Sequence, residues 1–137
     1  MKPLKSKYIH PITLKAALEV ASNLRSEDFR EISEGHGLDP LTYLAAMSTD
    51  PATVYFTSPS GKAAGMAGVG REGDIWMLCT NVIHEQPTLF ARQAKRYVDS
   101  REEPLLWNIV DSRNEAHLKL LKFLGFKFLR KLKHGPN

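Results

Sequence analysis

The stretch Leu105 to Phe128, LLWNIVDSRNEAHLKLLKFLGFKF, constrains the fold more than any other part of the chain. Leu105 to Val110 is apolar and reads as a strand. Asp111-Ser112-Arg113 is a short polar turn, Asn114 can cap a helix, Gly125 stops that helix, and Phe126-Lys127-Phe128 begins another strand. An apolar strand aimed at the N-terminus of an amphipathic helix belongs to folds that pack helices on a sheet. That junction is where such folds present backbone N–H groups to ligands.

Upstream, the pattern is helical first and then extended. Lys7 to Pro11 reads as a first strand. Thr13 is a good cap, and Leu14, Leu18 and Ala21 follow at helical spacing, with Leu24 ending the stripe. Ser26 can cap a second helix, SEDFREISEG, with Phe29 and Ile32 on one face and Gly35 as its stop. Asp39-Pro40 is a cap followed by a first-turn proline and opens LTYLAAM. Thr53–Thr57, Lys62–Val69 and Asp74–Thr80 then read as an antiparallel meander, joined by the turns Ser58-Pro59-Ser60-Gly61 and Gly70-Arg71-Glu72-Gly73. Gly65 and Gly68 sit inside the second of these strands, so close packing of a helix on that face is expected.

Pro87-Thr88 opens a long helix whose apolar face is Leu89, Phe90, Ala94, Tyr97 and Val98, and Pro104 stops it. Its charges are Arg92, Lys95 and Arg96. A strand–helix–strand crossover from Asp74 to Val110 would make those two strands parallel neighbours. The expected fold is α/β of the α+β type: a mixed, mostly antiparallel twisted sheet with helices on both faces.

At 137 residues the chain is expected to form one domain, with loose ends at 1–6 and 133–137. The single cysteine, Cys79, excludes an internal disulfide framework and a Cys-rich zinc site. The five histidines, His10, His36, His84, His117 and His134, lack metal-ligand spacing. The basic N-terminus is not followed by an apolar segment, so no signal peptide is expected. No apolar run approaches the ~20 residues that span a bilayer, and a cytoplasmic location is expected. The net charge of +4 gathers at the two ends, which can attract anions. No nucleic-acid motif accompanies it, and sequence-specific nucleic-acid binding is not expected.

The strand order, together with Val110, three residues, Asn114, ten residues and then Gly125-Phe126, resembles the GNAT superfamily of N-acyltransferases. A closer resemblance, over roughly Tyr8 to Phe128, is to the small GNAT-like proteins of short-tailed bacteriophages, the internal virion group among them. Leu24-Arg25 with Asp28 and Glu31-Ile32 carries it, with Gly37, Asp39-Pro40-Leu41, Trp76-Met77-Leu78, Thr80, Trp107-Asn108 and the Asn114 to Phe126 block.

The resemblance implies transfer of an acetyl group from acetyl-CoA to an amine of a small molecule or protein. Pantetheine would run between the third meander strand and the strand after the long helix. Backbone groups of Leu78, Cys79 and Thr80 would flank it on one side, and the amides of Asn108 and Asn114 on the other. Thr88 and Arg92, at the start of the long helix, would meet phosphate.

Two departures stand out. The stretch Asn81 to Thr88 has no glycine where the superfamily wraps the coenzyme A pyrophosphate in a glycine-rich loop. Leu121 occupies the place where many members carry a tyrosine acid. His117, one turn earlier on the same face, is then the candidate acid. Glu31, Glu34, His36 and His84 are candidate bases by residue type alone. A second function follows from the same departures: a catalytically inactive GNAT-fold phage protein serving as a virion or host-interaction component, in the bacterial cytoplasm or the virion.

Overall fold

The computed structural model describes residues 6–35, 37–71, 73–101, 103, 106 and 115–126. Within them the fold is α+β. Four strands, β1 (Ile9–Pro11), β2 (Val54–Thr57), β3 (Ala63–Val69) and β4 (Ile75–Cys79), form one antiparallel sheet in sequential order. Helices α1 (Leu14–Ser22), α2 (Ser26–Gly35) and α3 (Pro40–Met47) connect β1 to β2. A 3₁₀ turn, Asn81–His84, leads from β4 into α4 (Pro87–Ser100), and α5 (Glu115–Phe123) follows. The expected strand at 105–110 apart from Leu106, the last expected strand beyond Phe126, the Asn114 cap, and residues 1–5 and 133–137 of the expected ends lie outside the described residues.

Local chemistry explains most boundaries. Thr13 accepts a hydrogen bond from the Ala16 N–H at 3.1 Å, and Asp39 accepts one from Thr42 N–H at 3.1 Å, so both expected caps form. Ser26 does not cap. It is the first residue of α2, and its hydroxyl donates to Glu27 instead, while the Arg25 carbonyl accepts the first helical bond from Phe29. Gly125 has φ of +94°, and the Gly125 and Phe126 N–H groups donate to Lys122 and Leu121 carbonyls. That pair of bonds is a Schellman ending, which closes α5 where the glycine stop was expected.

Side-chain burial departs from the periodic reading in α1 and α2. Leu14 and Leu18 are exposed, and Ala16, Ala17, Val20 and Ala21 face inward. Small residues win because α1 lies close against β3, where Ala17, Val20 and Ala21 pack with Ala63 and Met66. In α2, Ile32 is buried while Phe29 stays about half exposed, so the two do not share a buried face.

β3 is buried along its whole length because both faces of the sheet are covered. On one face α1, α2 and α3 supply Val20, Ile32 and Leu44 against Met66 and Leu78. On the other, α4 supplies Phe90, Ala94 and Tyr97, and the turn that ends α5 supplies Leu124, against Phe56, Ala67 and Met77. The β2–β3 register slips between Phe56 and Thr57, which face Gly65 and Ala63 in turn, leaving Ala64 as the extra residue.

The strand glycines are crowded by β4, not by a helix. Gly68 faces Trp76, whose indole lies 2.6 Å from where a Cβ would stand, and at Gly65 the Leu78 carbonyl would be 2.8 Å away. α4 ends at Ser100, before the expected proline stop, where Arg101 turns extended, pairs with Glu103 at 2.6 Å and lies over the Tyr97 ring.

Candidate functional site

The described residues among the expected cofactor contacts run from the end of β4 through the 3₁₀ turn to the start of α4. The strand alternates its backbone groups between its two edges. Thr80 N–H donates to the Ala64 carbonyl at 2.9 Å, so Thr80 and, two residues earlier, Leu78 face β3. Cys79 faces the other edge, where an extended ligand would be expected to pair.

That edge is engaged by the chain itself. Cys79 N–H donates to Asp28 Oδ2 at 2.9 Å, and Arg25 N–H donates to the Cys79 carbonyl at 2.9 Å. Leu24 forms an antiparallel bridge with Thr80 beside them. The Arg25 guanidinium lies 3.4 Å from Asp28 Oδ2 and 2.6 Å from Glu27 Oε2. Arg25 is 4% exposed and Asp28 1%. Removing either charge from water is costly unless it is paired and hydrogen-bonded, and here each satisfies the other while closing the strand edge.

The Cys79 side chain points to the core under α4. Burial, then the nearby Asp28 charge, pushes its thiol well above the usual range, so it stays protonated and inert as a nucleophile. The Arg25 charge opposes this rise and the Glu31 charge adds to it.

Three N–H groups of the segment between β4 and α4 are spent internally. Thr80 Oγ1 accepts from Val82 N–H at 3.2 Å, the Thr80 carbonyl from Ile83 N–H at 3.3 Å, and the Val82 carbonyl from Glu85 N–H at 3.0 Å. The Thr80 hydroxyl in turn donates to the Ala63 carbonyl at 2.9 Å, locking the turn to β3. Glu85 adds a negative charge at this place and reaches Lys62 at 3.9 Å.

Gln86 gives α4 no side-chain cap, and Pro87 is its first residue. Thr88 and Arg92 are both exposed and one turn apart on this helix. An open groove of about 420 Å³ runs along α4, lined by Leu89, Arg92, Gln93, Lys95, Arg96 and Asp99. Lys95 pairs with Asp99 at 3.6 Å, and Arg96 has a further interaction of its own. Beneath the 3₁₀ turn, a hollow of about 10 Å³ between Phe56, Ile83 and Phe90 has room for about one water.

Of the other expected site residues, Asn108, Asn114 and His36 lie outside the described residues, as does the side chain of His117. Leu121 is buried in the last turn of α5. Glu34 and His84 are exposed, on α2 and the 3₁₀ turn. Among the described residues no three His, Cys, Asp or Glu side chains gather as a metal site, and no helix is long and apolar enough to cross a membrane.

The buried Arg25–Asp28 pair was missed as a functional pair by the reading of the residues. Its one signal was the three-residue spacing, which puts the two charges one turn apart, as on many solvated helices. Gln93 of α4 is also buried and accepts a hydrogen bond from the Ser6 hydroxyl.

Compared with known proteins, the chain matches no protein-family model, no curated protein and no solved structure.

Proposed function

We propose that this chain is a GNAT-like scaffold that has given up acetyl transfer and works as a protein-interaction component of a bacteriophage virion or of its contact with the host. The observation that carries this reading is the engagement of both Cys79 backbone groups by Asp28 and Arg25. Acetyl-CoA lying along β4 would have to displace a buried ion pair. The internal bonds of the 80–85 segment, its lack of glycine and the Glu85 charge act in the same direction against a pyrophosphate. The phage and virion context comes from the resemblance in residue order described above.

The second reading is a GNAT-type N-acyltransferase with an amine acceptor. It is favoured by the start of α4, where no side chain caps the helix and Thr88 and Arg92 stand exposed.

Thermal unfolding with acetyl-CoA separates the two. A ligand at a hundredfold excess over its dissociation constant adds about 2.7 kcal/mol to native stability, which moves Tm by several degrees in a domain of this size. The scaffold reading expects no shift at millimolar acetyl-CoA and recovery of the protein from purified virions or with a host protein. A saturable shift would overturn it in favour of the acyltransferase.

A further inference from the structure

α2 is fastened to the sheet in an unusual way. Among its described residues, Ile32 is the buried apolar anchor, and Phe29 on the neighbouring turn projects toward solvent. The helix packs mainly against α3. Besides Ile32, its tie to the sheet is polar: the Cys79 N–H donates to Asp28 Oδ2, and the Arg25 N–H donates to the Cys79 carbonyl, at the very start of the helix. Arg25, Asp28, Glu31 and Glu34 have further interactions of their own. An element with little apolar burial opens at lower free energy than the core it sits on.

The latch also has a strand's form. Leu24 bridges Thr80 antiparallel, Arg25 supplies the N–H that a neighbouring strand would supply, and the Asp28 carboxylate stands in for that strand's carbonyl. We propose that α2 is a flap, latched by Asp28 and Arg25 to the Cys79 backbone on the edge of β4 away from β3, that opens as a unit while the sheet stays closed. Opening frees the Cys79 N–H and C=O from Asp28 and Arg25.

Adjacent amides supply the test. Cys79 N–H is held by Asp28, whereas Thr80 N–H is held by the Ala64 carbonyl inside the sheet. Residue-resolved hydrogen exchange of the full chain, followed through increasing urea below the unfolding transition, reads both. The flap predicts that Cys79 exchanges together with the α2 amides, faster than Thr80 and with a smaller urea dependence. Equal rates and equal urea slopes for Cys79 and Thr80 would overturn it, and this measurement needs no variant. Asp28→Ala is expected to accelerate Cys79 and α2 exchange roughly ten- to hundredfold, as for loss of a charge-assisted bond, with Thr80 changed far less. Asp28→Asn, which keeps an oxygen acceptor, should fall between. Uniform acceleration of Thr80 and Cys79 in both variants would count against a local latch.

Discussion

Tyr97 allows the packing of α4 on the sheet to be tested through a titration. Its ring is 1% exposed, stands edge-on to Phe56 with centroids 6.3 Å apart, and lies under the Arg101 guanidinium. Its hydroxyl donates to the Ala52 carbonyl at 2.9 Å. Burial pushes its pKa up from 10.0 to about 12, against a smaller opposing pull from Arg101. In the unfolded chain the phenol ionises near pH 10. Below that pH both states hold the proton, and the stabilisation is fully present. As pH rises toward 12 the unfolded chain loses a proton that the native chain keeps, so stability falls. Two pKa units at 1.36 kcal/mol each make this loss about 2–3 kcal/mol, complete above the native pKa.

Tyr97→Phe keeps the ring contacts and removes both the hydrogen bond and the titration. At pH 8 it should cost about 1 kcal/mol, the usual worth of one such bond. Urea unfolding of the two proteins from pH 8 to 12 checks the rest. Other tyrosines, lysines and Cys79 titrate in both, so the difference between the curves isolates Tyr97. The variant should close the gap near pH 11 and become the more stable protein above it. Parallel curves would refute the placement of the Tyr97 hydroxyl in a dry, hydrogen-bonded site.

Three further outcomes are expected. Gly68→Ala sets a methyl against the Trp76 indole and should cost about 1–3 kcal/mol by urea unfolding, and Trp76→Ala in the same chain should recover part of that loss. Asp39→Ala removes the α3 cap and should cost about 1 kcal/mol, read as a fall in Tm with no change in the fold's circular dichroism. Cys79 should react with a thiol reagent at pH 8 many times more slowly in the native protein than in urea, because its thiol is buried and kept protonated; equal rates would contradict its place in the core.

Elements built from strong local chemistry were readable before the tertiary structure. Thr13 and Asp39-Pro40 marked true helix starts, Gly125 a true stop, and the turns at Ser58–Gly61 and Gly70–Gly73 fell where Gly61 and Gly73 adopt positive φ. These depend on a few neighbouring residues and on backbone sterics, so a one-dimensional reading suffices. The burial of α1 was not readable. Leu14 and Leu18 carry more apolar surface than Ala16 and Ala17, but the distance between α1 and β3 favours the small residues. Nor was the crowding of Gly68 readable, since it depends on which residue of β4 stands opposite.

The candidate site divides the same way. The absence of glycine from Asn81 to Thr88 and the leucine at 121 are facts of sequence, and they already weakened the expectation of acetyl-CoA chemistry. What closes the β4 edge is a matter of tertiary structure. Arg25 and Asp28 lie 51 or more residues from Cys79 along the chain, and no local rule links them. The sequence by itself determined the helices, turns and strands whose signals are local: caps, positive-φ glycines and alternating apolar residues. Tertiary structure alone decided which face of α1 is buried, and it placed a buried ion pair on the strand edge where a cofactor was expected. The reason is physical: backbone preferences act within a few residues, whereas burial and charge pairing are set by whatever the folded chain brings within reach.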